Sequence, residues 1–191
     1  MLLFIPGTFS QPLPTNSHKT YTYEEERTRH MGEIEQLVRR AKKRDPDAFT
    51  ELMQLHEKDM YRTASAILPQ DADIADAIQE TIVKAFSGVH TLRNDKYAKT
   101  WLMRILINEC YTILRKTSKV ISLDEMCETT ELAADEKSDY SDLYKAVGSL
   151  KEDLRVPVIL YYIENFNIRE IAQIMDISEG AVQKRLARAR G

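Results

Sequence analysis

Helix-breaking residues are scarce in this chain after its first fifty residues, and this restricts the folds open to it. The 191 residues include six prolines and six glycines, and four of the prolines fall before residue 50. Inside a helix, proline costs about 3 kcal/mol and glycine about 1 kcal/mol. No segment shows the sustained alternation of apolar and polar residues that indicates a strand. The sequence therefore predicts an all-α fold.

Charge and periodicity divide the chain into an extension, two small helical domains and a linker. Residues 1–30 are rich in Pro, Ser and Thr and lack a helical period, so we expect disorder there. Residues 118–142 carry two basic and eight acidic side chains. We interpret residues 118–137 as an acidic flexible linker. It joins one helical domain, 31–117, to a second, 138–191, which carries a helix-turn-helix.

The stretch DADIADAIQETIVKAF, residues 71–86, has the spacing of an amphipathic helix. Its predicted apolar stripe contains Ile74, Ala77, Ile78, Ile82, Ala85 and Phe86. Either Asp71 or Asp73 is placed to cap its start. Asp76, Gln79 and Glu80 fall largely on other sides, so we expect an exposed acidic face. A solvated surface is the alternative to a docking site there.

Two further helices are predicted around this stretch. In RDPDAF, Asp45 is placed as the N-cap and Pro46 as the first helical residue. The apolar face of that helix would contain Ala48, Phe49, Leu52, Leu55 and Met60. The polar loop SGVHTLRNDK, which holds Gly88, leads into a long helix. Its inward side chains would be Trp101, Leu102, Ile105, Leu106, Cys110 and Leu114.

The segment IREIAQIMDISEGAVQKRLARAR predicts a helix-turn-helix. Asp176 stands at the turn, where a positive φ is needed, and Ser178 is placed to cap the second helix. The apolar positions that would pack the two helices are Ile168, Ile171, Ala172, Met175, Val182, Leu186 and Ala189. Long side chains on the exposed side can reach phosphates and base edges in a major groove. They are Glu179, Gln183, Lys184, Arg185 and Arg188, and a solvated basic helix is the alternative.

Four stretches occur in order along the chain: DPDAFTELMQLHEKDMYRTA, DADIADAIQETIVKAF, KTWLMRILINECYTILRK and SEGAVQKRLARAR. Together they resemble the extracytoplasmic-function (ECF) class of RNA polymerase sigma factors, in the sigma-70 family, over about residues 31–191. The resemblance implies an alternative sigma factor that binds core RNA polymerase and directs promoter recognition and strand opening. It also implies a cytoplasmic protein that needs no cofactor and no metal.

The resemblance assigns roles to individual residues. Docking on the coiled coil of the polymerase β′ subunit would fall to Asp76, Gln79 and Glu80, and the β flap is a further expected contact. Capture of the −10 strand would fall to His90, Arg93, Asn94, Lys96, Asn108 and Arg115. Reading of the −35 duplex would fall to Ser178, Glu179, Gln183, Lys184, Arg185 and Arg188. Backbone phosphates would be held by Lys99, Arg104 and Lys116, while Trp101 is expected in the core.

Partners and departures also follow from the resemblance. We expect an anti-sigma factor, in this family often membrane-bound, to hold the free protein. Thr112 stands where many members have Asp, which leaves the contacts of that helix open. The acidic linker could mimic nucleic acid near the RNA exit path, through Asp124, Glu125, Glu128 and Glu131. The sequence leaves open whether Met31 is the native start and whether the chain is truncated at Gly191.

Other functions receive less support from the residues. A dimeric one-component transcription regulator would use the same terminal helix, but its first domain would present an apolar dimer face or a pocket. An enzyme is disfavoured because the four histidines lack metal-ligand spacing and the glycines form no phosphate-binding loop. Cys110 and Cys127 are expected as free thiols. No apolar run is long enough to span a bilayer, and MLLFIPG lacks the basic start of a signal peptide.

Overall fold

The structure, a computed structural model, describes residues 32–120 and 147–190 of the chain. Every regular element within these two ranges is helical, and the described part of Ile34–Gly191 forms one compact unit. The first domain contains α1 (residues 32–42), α2 (Pro46–Ser65), α3 (Asp71–Gly88) and α4 (Ala98–Val120). The second contains α5 (Glu152–Val158), α6 (Ile168–Met175) and α7 (Glu179–Arg190). The predicted all-α fold of two small helical domains is confirmed.

The start of α2 has the cap that the sequence predicts. Pro46 is its first residue, and Oδ1 of Asp45 accepts hydrogen bonds from the N–H groups of Asp47 and Ala48, each at 3.1 Å. The bond from Ala48, helped by a side-chain bond from Arg40, lowers the pKa of Asp45. The carboxylate also faces the positive end of the helix dipole. This cap fixes where α2 begins and therefore how its apolar face meets the core.

The start of α3 differs from the prediction. Its N-cap is Gln70, whose side chain makes no capping bond, while Asp71 and Asp73 lie in the first turn. Gln70 keeps an extended backbone, so helical geometry already begins at Asp71 and neither acid is in the capping conformation. Both carboxylates lie near the positive end of the helix dipole, and Oδ1 of Asp71 also accepts a hydrogen bond from the hydroxyl of Tyr61 at 3.5 Å. The helix also continues through Gly88, which the sequence places in the following loop.

One apolar core joins α2, α3 and α4. Its largest fully buried side chains in this domain are Met60, Leu68, Leu102, Met103, Leu106 and Ile107. Phe86, predicted in the apolar stripe, is instead 54% exposed and packs edge-on against Phe49 with ring centroids 5.1 Å apart. Thr81 takes a core position that the sequence did not mark. Its Oγ1 donates to the carbonyl of Ala77 at 2.6 Å, so its burial leaves no unpaired hydroxyl.

The buried face of α2 is rotated from the predicted one. Leu55, expected to face inward, is 43% exposed, while Met53 and His56 are buried. The core of this domain lies on one side of α2, and Leu55 falls beyond the edge of the stripe that packs against it. The other predicted positions of this face, Ala48, Phe49, Leu52 and Met60, are buried.

The helix α4 is longer than predicted. It runs to Val120, which takes it into the segment interpreted as the linker. The rest of that segment lies outside the described residues, and so do Asp124, Glu125, Glu128 and Glu131. The predicted extension at residues 1–30 lies outside them as well. The boundaries of the domains and the role of the linker stay predictions.

A π-helical turn, Ile159–Ile163, follows α5 and shapes the second domain. Its end is marked by a hydrogen bond from the N–H of Glu164 to the carbonyl of Ile159, at 3.0 Å. Asn165 then adopts a left-handed φ of 59°, a conformation that asparagine tolerates, and turns the chain toward α6. This turn directs the side chain of Glu164 toward the first domain.

The helix-turn-helix forms as predicted. Asn167 and Glu170 close a capping box at the start of α6, with reciprocal hydrogen bonds of 3.0 Å. Asp176 has a left-handed φ of 55°, and Oγ of Ser178 accepts a hydrogen bond from the N–H of Ala181 at 3.2 Å. The packing between the helices buries Ile171, Ala172, Val182 and Leu186.

Candidate nucleic-acid interface

The three residues predicted to dock on polymerase all lie on the exposed side of α3. Asp76, Gln79 and Glu80 are exposed to solvent. Beside them runs a shallow apolar groove of about 370 Å³, lined by Tyr61, Asp71, Ile74, Ala75, Ile78, Gln79, Ile82 and Val83. Val83 is 55% exposed, so its apolar side chain faces solvent beside the acidic residues and is not needed for core packing. An acidic edge beside an apolar groove suits a protein partner better than a solvated face does.

The loop after α3 is ordered by two short 3-10 turns, Val89–Thr91 and Asp95–Tyr97. Leu92 between them is buried and anchors the loop on the core. Oδ1 of Asn94 accepts a hydrogen bond from the N–H of Lys96 at 3.2 Å, so this predicted DNA contact also caps the second turn. The side chains expected to meet DNA remain outward: His90, Arg93, Asn94 and Lys96 are all exposed.

A cleft of about 790 Å³ opens between this loop and the second domain. The first domain lines it with Thr91, Leu92, Arg93, Asn94, Tyr97, Thr100, Trp101 and Arg104. The second domain lines it with Asn167, Arg169, Glu170 and Gln173. Cationic side chains beside exposed aromatic rings are the chemistry that binds single-stranded nucleic acid. The structure brings Arg93 and Asn94 together in this cleft.

Two aromatic residues of the cleft depart from the sequence analysis. Trp101, expected in the core, is only partly buried and forms part of the cleft wall. Tyr97 is 49% exposed there, although the sequence analysis does not include it among the residues expected to bind DNA. One sequence signal points to Tyr97. It directly precedes a long helix, so the helical period does not require an aromatic side chain at this position for packing.

The remaining predicted strand contacts lie along α4. Asn108 and Arg115 are exposed, as are Arg104 and Lys116. Positions 104, 108 and 115 are separated by four and seven residues, which keeps them on neighbouring parts of one helix face. Oγ1 of Thr112 donates to the carbonyl of Asn108 at 2.7 Å, so this hydroxyl is engaged by the backbone of its own helix.

The predicted duplex-reading residues of α7 do not all share one environment. Ser178, Glu179, Gln183, Lys184 and Arg188 are exposed, whereas Arg185 is half-buried. The charge of Arg185 acts on Tyr111 of α4. Burial raises the pKa of Tyr111 to about 12, with a further upward contribution from Glu152 that Arg185 opposes. Arg185 therefore lies near the boundary between the domains.

A polar cluster crosses the boundary between the domains. The side chain of Glu164 has no exposed surface, and its carboxylate receives Nε of Arg62 and Nζ of Lys99, each at 2.9 Å. Lys99 Nζ also lies 2.8 Å from the carboxylate of Asp59. Burial acts to raise the pKa of Asp59, but the neighbouring His56, Lys99 and Arg62 outweigh it and hold that pKa well below its usual value. Sequence reasoning missed this cluster.

The described residues contain no group of three or more His, Cys, Asp or Glu side chains arranged to hold a metal ion. None of the helices in the described ranges is both long enough and apolar enough to cross a membrane.

Comparison with known proteins matches both halves of the chain. Residues 52–120 match the family model for sigma-70 region 2, and residues 140–191 match the model for sigma-70 region 4. The RNA polymerase sigma factor SigV of Bacillus subtilis strain 168 is 34% identical over 137 residues, covering 70% of this chain and 81% of SigV. The ECF RNA polymerase sigma-E factor of Escherichia coli K12 is 29% identical over 170 residues, which cover 81% of this chain and 88% of the sigma-E factor.

Two solved structures have a similar fold. The sigma factor RpoE in complex with the anti-sigma factor NepR from Bartonella quintana has a TM-score of 0.64 at 25% identity, covering 74% of this chain and 91% of RpoE. CnrH in complex with the cytosolic domain of CnrY has a TM-score of 0.62 at 23% identity, and the match covers 83% of this chain and 92% of CnrH. This match shows a likeness of fold.

Proposed function

The chain belongs to the ECF sigma factors of the sigma-70 family, and from this premise we propose how its surfaces divide the work of transcription initiation. It is an alternative sigma factor, a regulatory protein that directs initiation by core RNA polymerase. We further propose that it has no catalytic activity of its own, needs no cofactor and acts in the cytoplasm.

The observation that carries the proposal is the composite surface of α3. Asp76 and Glu80, one turn apart, extend beside the groove that contains Ile78 and Val83. A basic helix with an apolar stripe would satisfy both parts, with the carboxylates steering it and the groove burying its apolar side chains. We assign this surface to the coiled coil of the β′ subunit. The exposed amide of Gln79, between the two carboxylates in the sequence, would add a hydrogen bond to the same partner helix.

The cleft beside the loop after α3 is assigned to the separated −10 strand. A base that leaves the stack needs an aromatic or guanidinium plane against which to lie, and Tyr97, Trp101 and Arg93 offer these. Asn94, His90 and Lys96 stand at the rim, and Asn108 and Arg115 continue the path along α4. Phosphate contacts by Lys99, Arg104 and Lys116 would position the strand without reading its sequence.

The second domain is assigned to the −35 duplex. The exposed side chains of α7, Glu179, Gln183, Lys184 and Arg188, can enter a major groove, and each good bidentate pairing contributes about 1–3 kcal/mol of discrimination. Ser178 lies at the helix N-terminus, where a phosphate is favourably placed. Arg185 reaches DNA in this assignment only when the boundary with α4 opens. A contact of this domain with the β flap completes the proposed polymerase interface.

An anti-sigma factor is the proposed regulator of the free protein. The sigma factor RpoE, which has a similar fold, has been solved in complex with the anti-sigma factor NepR, and CnrH, also of similar fold, has been solved in complex with the cytosolic domain of CnrY. By analogy, a partner that covers the surfaces of both domains would keep this chain from polymerase. The partner of this chain is either soluble or carried by a membrane protein.

Capture of core RNA polymerase tests the docking surface. We would compare the full chain with an Asp76→Lys/Glu80→Lys variant, using core enzyme from Bacillus subtilis, the source of the relative SigV. Reversal of both charges places like charges opposite a basic helix, so we expect capture to be lost. A matched Glu51→Lys/Glu57→Lys variant, which changes two exposed acids of α2, should retain it. No capture by the folded wild type would contradict the proposal and favour a dimeric regulator.

A further inference from the structure

The carboxylate of Glu164 comes from the second domain, but both of its cationic partners come from the first. Arg62 lies on α2 and Lys99 on α4, and each places a nitrogen 2.9 Å from a different carboxylate oxygen. The ammonium group of Lys99 also lies over the ring of Phe166, with Nζ 5.2 Å from the ring centroid. The contact therefore links the second domain to two helices of the first and pairs both carboxylate oxygens.

A carboxylate with no exposed surface is costly unless it is paired and hydrogen-bonded. Glu164 can be buried there only while Arg62 and Lys99 are beside it. The two cations depend less on this contact than Glu164 does. The side chains of Arg62 and Lys99 are 32% and 31% exposed, and both also lie within ion-pair distance of Asp59. A buried ion pair adds little net stability over the separated, hydrated groups. The ion pair itself therefore adds little resistance to opening of this contact.

The closed contact also holds the second domain along one wall of the cleft assigned to the −10 strand. Asn167, Arg169, Glu170 and Gln173, at the start of α6, line the wall opposite Trp101. At the far side, Nη2 of Arg104 lies 3.5 Å from Oδ1 of Asp176. Carboxylates of the second domain therefore lie against Lys99 and Arg104, two cations assigned to strand phosphates.

We propose that Glu164, with Arg62 and Lys99, forms an interdomain latch in which a carboxylate occupies the place of a DNA phosphate. In the free chain the latch holds the second domain over the strand-capture cleft. A promoter strand and the second domain compete for Lys99 and Arg104, so binding of the strand requires the open state. This inference rests on the proposed function for the meaning of the cleft, but the existence of the latch is independent of it.

The latch can be tested without DNA or polymerase, because Trp101 is the only tryptophan of the chain and lines the cleft. Glu164→Gln keeps the size of the side chain and removes its charge. We expect acrylamide to quench Trp101 more strongly in this variant than in wild type, while circular dichroism stays unchanged. In Glu51→Gln, which removes one exposed carboxylate of α2, acrylamide should quench Trp101 to the same extent as in wild type. Equal quenching in folded Glu164→Gln and wild type would overturn the latch.

Strand binding supplies a second measurement that separates the latch from a simple packing contact. The probe is a fluorescein-labelled single-stranded DNA of random sequence, followed by anisotropy. Glu164→Gln should bind it more tightly, by about fivefold or more, because the apparent Kd falls as the open fraction rises. Lys99→Gln should also expose Trp101 but bind the DNA no better than wild type, since it loses a phosphate contact. Tighter binding by Lys99→Gln than by Glu164→Gln would contradict the assignment of Lys99.

If Glu164→Gln fails to fold, quenching in Lys99→Gln alone decides whether the latch exists. Stronger quenching of Trp101 with unchanged DNA affinity in Glu164→Gln would support a latch but refute competition with a strand. Core polymerase capture, measured on the same proteins, reports separately on the proposed function. A chain with a working latch that fails to capture polymerase would contradict only the proposed function.

Discussion

The ammonium group of Lys42, at the end of α1, forms an ion pair with the carboxylate of Asp95 in the loop that carries the predicted −10 contacts. Both side chains are about one-fifth exposed, at 22% and 19%, so the pair is partly shielded from water. It links α1 to the second 3-10 turn of the loop, next to Asn94 and Lys96. The position of the strand-binding side chains therefore depends on a residue 53 positions earlier in the chain.

Lys42→Met should free this loop without removing any residue assigned to DNA. We expect the free energy of unfolding to fall by about 0.2–1 kcal/mol, the usual range for an ion pair near the surface. Affinity for single-stranded DNA should fall further than in Lys43→Met, a neighbouring exposed lysine. Urea unfolding and anisotropy measure the two effects. Equal DNA affinities of the two variants would show that the pair does not position the loop.

The left-handed turn at Asp176 gives a prediction about the helix-turn-helix. Asp176→Gly and Asp176→Val both remove the pair with Arg104, but only glycine accepts the φ of 55° without strain. The free energy of unfolding of the valine variant should therefore be lower than that of the glycine variant by about 1–2 kcal/mol. Thermal unfolding followed by circular dichroism measures the difference. If the two variants were equally stable, the turn would not be held in this conformation in solution.

Local sequence signals predicted much of the fold, and the reason is visible in particular residues. Asp45 with Pro46, Asp176 and Ser178 each act on backbone groups a few positions away, so their roles can be read from neighbouring letters. The confirmed helix-turn-helix follows from such local rules. The predicted docking and −10 residues are exposed, and so are the −35 residues except the half-buried Arg185, but their contacts with partners stay predictions.

The features that sequence reasoning missed depend on distant partners. Glu164 is one acidic residue in the apolar stretch YYIENF, and its partner Arg62 lies 102 positions away. No periodic pattern links the two. Leu55 fits the helical period but falls outside the stripe that the core covers, because the direction of packing is set by α3 and α4. Trp101 is expected in the core because tryptophan is more often packed in a core than used as a contact, whereas the position of the neighbouring domain makes it part of a cleft wall.

The lowered pKa of Asp59 predicts how stability changes in acid. Asp59 has a model-peptide value of 3.8, and in the folded chain its pKa lies below that. The unfolded chain therefore takes up this proton first as pH falls. The stabilising contribution is fully present well above 3.8 and is lost as pH falls through 3.8 toward the folded value.

Asp59→Asn should remove this part of the pH dependence. We expect the difference in unfolding free energy between wild type and variant to shrink steadily from pH 5 to about pH 2. Asp47→Asn, at an exposed position in the first turn of α2, serves as a comparison. Urea unfolding at a series of pH values is the measurement. A difference that stays constant across this range would show that Asp59 is not paired in the folded state.

Burial of Cys110 predicts that its thiol is unreactive in the native protein. It is fully buried in the core of the first domain, and this burial raises the pKa of the thiol to about 12. The thiolate is the reactive species, so little of it exists near pH 8. Iodoacetamide should leave Cys110 unmodified in the native chain and alkylate it rapidly in urea, as read by peptide mass spectrometry. Because the thiol can react only when the core opens, the native rate should also rise in core variants such as Leu106→Ala. Rapid alkylation of Cys110 in the folded wild type would mean that α4 does not pack as the structure places it.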